Sequence, residues 1–391
     1  MTDATGQLPV LTRPRKVVIV QEVVLHYRER FYELLRDRLR RAEIELVLVH
    51  SNDMTGDVWR SGVDLHWSHR VPVRRLRLGG RELVWQSCWH LLDGSDLIIV
   101  EQGSRHLLNY LLFTGQALGR RRVALWGHGR NLDVRDSSRL GEAVKAMGSR
   151  RAHWWFAYND LSAEIVEGLG VARGRITAVQ NTIDTIRLRD RVAALTEDDV
   201  HAMRRSLGLD GGRVGLYLGS LAPGKRLDYL FEASEAVHAA APDFHLIVTG
   251  AGTEDARLRR FAAARQWVHP VGPVRGSAKA GMLRVADLVL LPAGAGLAVL
   301  DSFAAGTPMV ISRAFPHGPE ASYIEQGVNG VAVDDGGDPS VYGRAIVDLL
   351  ADQARRTVLG ARARESAERY TIENMVERFA GGIEDALAAG T

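Results

Sequence analysis

The chain of 391 residues carries a single cysteine, Cys88. One thiol excludes an internal disulfide framework and fits a reducing compartment. Long apolar runs are missing as well. Pro292, Gly294 and Gly296 interrupt the best one, so no stretch reaches the roughly 18 residues of a membrane-spanning helix. The apolar run after Arg15 and Lys16 is too short for a signal-peptide core. These absences lead to the expectation of a soluble, cytoplasmic protein. Lysine is scarce too: Lys16, Lys145, Lys225 and Lys279 are the only four among 50 basic residues. A lysine in this chain is therefore less easily read as surface filler.

The net charge is only +3, but residues 1–185 hold 27 of the basic residues against 21 acidic ones. The basic clusters are Arg36/Arg38/Arg40/Arg41, Arg70/Arg74/Arg75/Arg77, Arg120/Arg121/Arg122 and Arg150/Arg151. They read as a solvated face, or as a surface for anionic lipid headgroups or an anionic acceptor at the inner membrane face. No nucleic-acid-binding motif accompanies them, so nucleic acid is not expected as a partner.

Short apolar runs alternate with helix-periodic segments. Strands are predicted at 16–20, 44–49, 97–100, 123–126, 154–157 and 176–179, with a helix over 28–41. After a charged helical stretch (186–207), a second series follows at 214–218, 246–248, 267–271, 288–291 and 309–311. The pattern predicts an α/β protein of two Rossmann-like domains with parallel sheets facing across a cleft. Residues 1–190 form the first, 191–210 a linker, 211–370 the second. A final helix within 371–391, N-capped by Thr371, is expected to pack back on the first.

Two segments carry phosphate chemistry. In LYLGSLAPGKRLDYLFEA (216–233) a strand ends at Gly219 and Lys225 opens an amphipathic helix. A lysine there meets a diphosphate as a point charge while loop N–H groups approach. In LLPAGAGLAVLDSFAAGTPMV (290–310) an apolar strand turns through glycines into a helix with Asp301 near its start. The turn aims N–H groups and a positive dipole end at one point, and Asp301 can accept both hydroxyls of a ribose. On the first sheet's edge, LWGHGRN (125–131) offers His128, which as neutral imidazole can donate to a sugar hydroxyl or phosphate, with Arg130 and Asn131 beside it. Gln102 and Gly103 should line the same edge, and Glu101 reads as a base or a strand-end acid. His26, Tyr27 and Arg28, after the first strand, are acceptor-contact candidates or helix-start packing. Trp59 and Trp67 suit packing or stacking on a sugar ring.

Together these segments resemble glycosyltransferase family 4, which has the GT-B fold. GSLAPGKRLDYLFEA is similar to the family's glycine–arginine–leucine…lysine segment, and LLPAGAGLAVLDSFAAGTPMVIS to its strand–loop–helix bearing two glutamates. VQNTID (179–184) and GVNGVAV (327–333) resemble further family segments in the right order. The resemblance implies an acceptor in the N-terminal domain and a nucleotide-diphosphate sugar donor, UDP- or GDP-linked, in the C-terminal one. It implies transfer with retention, onto a sugar, lipid-linked or small-molecule acceptor, with no bound cofactor. Residue by residue, Lys225 would hold the diphosphate and Asp301 the ribose. The amides of Gly294, Ala295, Gly296 and Leu297 would face phosphate and sugar, Gly219 would border the donor, and Glu320 matches a family glutamate. His128 matches a cleft histidine. Lys225, His128 and Asp301 are the catalytic candidates.

Two departures stand out. Ser220 replaces the family's arginine, with Arg226 as the candidate substitute, and Ala293 replaces the first glutamate. They keep open a catalytically weak or inactive sugar- or nucleotide-binding subunit, and a GT-B sugar-nucleotide epimerase is a further alternative. No Asp-x-Asp triplet occurs, so a metal-independent reaction is expected, with no metal-ligating residues assigned. A dinucleotide dehydrogenase is disfavoured, because QEVVLHYRER, not Gly-x-Gly-x-x-Gly, follows the first strand.

Overall fold

The computed structural model describes residues 13–52, 62–78, 81–129, 150–209 and 211–390. Among the described residues, the first half contains nine strands: β1 (Arg15–Val20), β2 (Ile44–His50), β3 (His69–Arg70), β4 (Val73–Leu78), β5 (Arg81–Gln86), β6 (Leu97–Glu101), β7 (Val123–Gly127), β8 (Trp154–Ala157) and β9 (Ile176–Ala178). Seven of them form a parallel sheet in the order β3-β2-β1-β6-β7-β8-β9. The pair β4–β5 is an antiparallel hairpin that the alternation did not predict.

Successive residues of β1 serve opposite faces, as strand geometry requires. Val17 and Ile19 join one core with the helix Glu29–Arg41, while Val18 and Val20 join the other with the helices Leu107–Ala117 and Asp160–Gly168. Both faces being covered explains the unbroken apolar run. Cys88 is buried in the second of these cores, where burial pushes its thiol up to about 11.

The second half contains β10 (Arg213–Leu218), β11 (Phe244–Thr249), β12 (Val268–Gly272), β13 (Leu288–Leu290), β14 (Met309–Ser312) and β15 (Gly330–Val333). They make a six-stranded parallel sheet in the order β12-β11-β10-β13-β14-β15. Pro270 sits on the edge strand β12, where a missing N–H is tolerated. The charged stretch between the halves forms two helices, Thr185–Ala193 and Glu197–Ser206, the second opened by a Thr196–Asp199 capping box. Its apolar residues Leu188 and Val200 belong to the second core.

The last helix, Ile372–Ala388, is capped by the Thr371 side chain accepting from the Asn374 N–H. Its apolar stripe of Ile372, Met375, Val376, Phe379, Ala380 and Ile383 enters the first core. Phe379 stacks on Phe156 at 4.3 Å and meets Trp126 edge-on at 4.9 Å. Gly382 permits this approach: a Cβ there would lie 2.9 Å from the Phe156 ring and 2.5 Å from Thr177 Oγ1. Phe379→Ala is expected to destabilise the fold by about 3–5 kcal/mol, measured as a lowered midpoint in urea denaturation followed by tryptophan fluorescence.

Candidate functional site

Both sheets reverse direction at one point, between β1 and β6 and between β10 and β13. Ligands bind outside the carboxyl ends of strands at such points. A cleft of about 1110 Å³ lies between the halves. Gly219, Ser220, Leu297 and Asp301 line it from the second half, and His26 and Tyr27 from the first.

The two glycine-punctuated segments meet. Pro223–Lys225 is a 3-10 turn, and Lys225 Nζ donates to the Gly294 carbonyl, 69 residues away. Gly294 has φ +62°, and a Cβ on it would stand 2.7 Å from Lys225 Nζ, so glycine is required. The amides of this turn are not all available to a ligand. Gly294 N–H donates to Pro316 O at 2.9 Å and Ala295 N–H to His317 Nδ1 at 3.1 Å. That corrects the expectation for these two residues. Among the described residues, the Gly296 and Leu297 amides take no protein acceptor, and they precede the helix Ala298–Ala305, whose positive end they share.

Asp301 is buried on that helix and accepts from Lys279 Nζ at 2.5 Å. Its second carboxylate oxygen is left for a hydroxyl donor. Lys279 was not singled out from the sequence, although its rarity was the signal already applied to Lys225. Arg226 does not take the place of the cation lost at Ser220 in this cleft. Its guanidinium lies 4.5 Å over Phe315 and pairs with Asp228 at 3.1 Å, and neither Arg226 nor Lys225 is among the residues that line the cleft.

On the first half, Arg28 is buried rather than presented to the cleft. It lies 4.8 Å over Trp126 and donates to Asn181 Oδ1. Asn181 Nδ2 donates in turn to Glu320 Oε1. Glu320 is also buried, with its other oxygen against Gly296 and Gly318. Gln102 clamps the turn after β7, donating to Gly129 O at 2.7 Å and accepting from Gly129 N–H at 2.9 Å. It thereby positions His128, which packs edge-on against Tyr158 at 5.2 Å. Gly103 packs on the His106 ring, so it supports the edge instead of opening it. Trp67 donates to Glu33 at 3.0 Å and lies under Arg36, which commits it to packing. Arg130, Asn131 and Trp59 lie outside the described residues.

At the β1/β6 reversal, Glu22, Glu101 and His106 bring three potential metal-ligand atoms within 4.8 Å of one another. Arg75 and Arg105 bind the two Glu22 oxygens at 2.7 and 2.5 Å, so guanidinium charge already occupies that carboxylate. Burial pushes the Glu101 carboxyl up to about 7, with a contribution from the Glu22 charge, against the Glu22 N–H, Arg105 and Arg28. Burial also takes His106 down to about 4, helped by Arg105 and Arg75 and opposed by Glu22.

Residues 212–352 match the family described as glycosyl transferases group 1. The match lies wholly in the second half of the chain. A GDP-mannose-dependent monoacylated alpha-(1-6)-phosphatidylinositol monomannoside mannosyltransferase of Corynebacterium glutamicum is 30% identical over 202 residues, 48% of this chain and 52% of that one. A D-inositol 3-phosphate glycosyltransferase of Salinispora tropica is 29% identical over 229 residues, 55% and 47% of the two chains. The chain thus spans about half the length of the curated relatives it matches. The solved structure of Anabaena Alr3699/HepE in complex with UDP and glucose is similar at TM-score 0.68 and 14% identity, over 95% of this chain and 99% of that one. At that identity the likeness establishes the fold alone, the GT-B arrangement of two facing parallel sheets.

The sequence reading missed the Thr249–Thr253 loop after β11 and the Pro273–Gly276 segment after β12, both in the cleft wall. An apolar strand running into glycine, LIVTGAG, was the available signal.

The perturbed pair also sets a pH dependence. Glu101 holds a proton in the folded state that the unfolded chain releases near 4.5. Its stabilising contribution is complete below that value and is lost as pH rises through about 7. His106 acts oppositely: its contribution is lost as pH falls from 6.5 through about 4. Glu101→Gln removes only the first effect. The melting temperature of the variant, relative to wild type, should therefore climb between pH about 5 and about 7.5 in a scanning-fluorimetry series. Parallel curves would show that Glu101 is ionised throughout.

Proposed function

We propose that the protein transfers a sugar from a nucleotide-diphosphate donor to an acceptor hydroxyl with retention of configuration and without a metal. The observation that carries this reading is the Lys225 ammonium laid on the Gly294 turn, with Asp301 one helix turn further along the same wall. Lys225 and the Gly296 and Leu297 amides meet the negative charge that develops on the departing diphosphate, in a cleft where such interactions are stronger than in water. Asp301 holds the ribose. The acceptor hydroxyl attacks from the face the diphosphate leaves, and its proton passes to the leaving phosphate oxygen. The family, whose relatives include a GDP-mannose-dependent enzyme, supports a nucleotide-sugar donor. Lys225→Ala should lower transfer by about 10²–10³-fold while leaving the melting temperature near wild type. Release of nucleoside diphosphate from a donor panel is the assay. Undiminished turnover would overturn the assignment, and stabilisation by donor with no turnover in wild type would favour a binding subunit.

For the acceptor we propose a lipid-linked or otherwise membrane-apposed sugar or polyol, as in relatives named for phosphatidylinositol and inositol 3-phosphate substrates. No described helix is long and apolar enough to cross a membrane. The hairpin β4–β5, however, exposes Leu76 and Leu78, at 55% and 73%, beside Arg74 and Arg77. Apolar side chains flanked by arginine suit shallow insertion among anionic headgroups. Replacing both leucines, Leu76→Ser with Leu78→Ser, should reduce co-sedimentation with phosphatidylglycerol vesicles. High salt should release the wild type. Equal sedimentation of variant and wild type would remove the hairpin from this role.

A further inference from the structure

The donor wall continues past Asp301. From Lys225 it runs through the Gly294 turn to Asp301, across the ion pair to Lys279, and one helical turn back along Gly276–Val285 to Arg275. Arg191, on the helix Thr185–Ala193, closes this end: its Nη1 lies 3.6 Å from where a Cβ on Gly276 would stand. Arg187 is one turn away on the same helix and lines the same cleft.

Among the described residues, five cations line the cleft, and two of them are paired: Lys279 with Asp301, and Arg30 with Asp184 and Glu373. Among the described residues, Arg187, Arg191 and Arg275 form no ion pair, and Arg191 reaches Gly276, the residue next to Arg275. His26 faces them from the other half, and burial together with the charges of Arg275 and Lys279 holds its imidazole below the usual histidine range. Glu29, on the same wall as His26, offers a carboxylate.

Resting on the nucleotide reading above, we infer that this end of the cleft selects a guanine base, with Arg275 and Arg191 donating to its O6 and N7. If the diphosphate lies at Lys225 and the ribose at Asp301, the base falls beside Arg275. A guanidinium fork matches two adjacent acceptors, which guanine presents at O6 and N7. Adenine sets an N6–H₂ donor beside N7, and uracil sets N3–H beside O4, so each turns a donor toward the fork. The Glu29 carboxylate is of the type that accepts from guanine N1–H and N2–H₂. The donor on this inference is a GDP-sugar.

Calorimetric titration of the full chain with GDP, UDP, ADP and inorganic diphosphate tests it. GDP should bind at least about tenfold more tightly than UDP or ADP. Arg275→Met with Arg191→Met should weaken GDP by about 5- to 150-fold, the range of a bidentate base contact, and leave UDP and inorganic diphosphate within about twofold. Arg275→Lys keeps the charge but not the fork, so it should lose part of the GDP preference with an unchanged melting temperature. UDP or ADP binding as tightly as GDP would overturn the inference while leaving the glycosyltransferase reading intact. Equal weakening of every nucleotide and of inorganic diphosphate, with Arg275→Lys as good as wild type, would also overturn it, since the arginines would then hold phosphate. Failure of every nucleoside diphosphate to bind would defeat the nucleotide reading itself, and this inference with it.

Discussion

The two halves are joined through a buried chain of polar groups, Arg28 to Asn181 to Glu320. A guanidinium from the first half and a carboxylate from the second share one amide. Charges this deep are tolerated only when they are paired or hydrogen-bonded. The halves cannot separate or slide here without leaving a buried charge unsatisfied. Asn159 adds a second tie, donating to Pro319 O at 2.6 Å, and Tyr323 donates to Asn181 O at 3.2 Å. These bonds set the carboxyl ends of the two sheets toward one space. Without them His26 would share no cleft with Asp301 and Arg275.

The return of the chain reinforces this constraint. The helix Ile372–Ala388 follows the whole second sheet in sequence yet supplies Phe379, Ile383 and Met375 to the core of the first. The polypeptide thus crosses between the halves twice, once before Thr185 and again near Tyr370. The two crossings are themselves bonded, since Thr182 Oγ1 and Thr185 Oγ1 both donate to Tyr370 O. The cleft is therefore bounded by a doubled connection on one side and by the Arg28 chain within.

Much of this architecture was readable in advance. Parallel strands buried on both faces are continuous apolar runs, so β1, β2, β6, β7 and β8 stood out, as did β10, β11 and β13. The hairpin β4–β5 did not, because VRRLRL reads as a charge cluster when its alternate residues face solvent. Lys225 and Asp301 stood out as candidates because a rare lysine and a lone carboxylate sat beside glycines. Their neighbours were harder. Arg226 follows Lys225 directly, but its left-handed backbone at φ 53° swings the guanidinium onto Phe315 and Asp228. Arg28 read as an acceptor contact or helix-start packing and Gln102 as part of the sheet edge, but their partners, Asn181 and Gly129, are 153 and 27 residues away. Spacing along a chain carries no information about bonds of that range.

By itself the sequence determined the α/β class, the two series of parallel strands, and the residue types that can bind a diphosphate and a ribose. Those features follow from local patterning and from the chemistry of single side chains. The tertiary structure alone decided which of those groups are already engaged. It occupied the Gly294 and Ala295 amides, paired Asp301 with Lys279, buried Arg28 and Glu320, and brought Arg191 to Gly276, next to Arg275, in the cleft wall. A side chain's charge is written in the sequence, but whether a partner neutralises it depends on which distant segments the packing brings within a few ångströms.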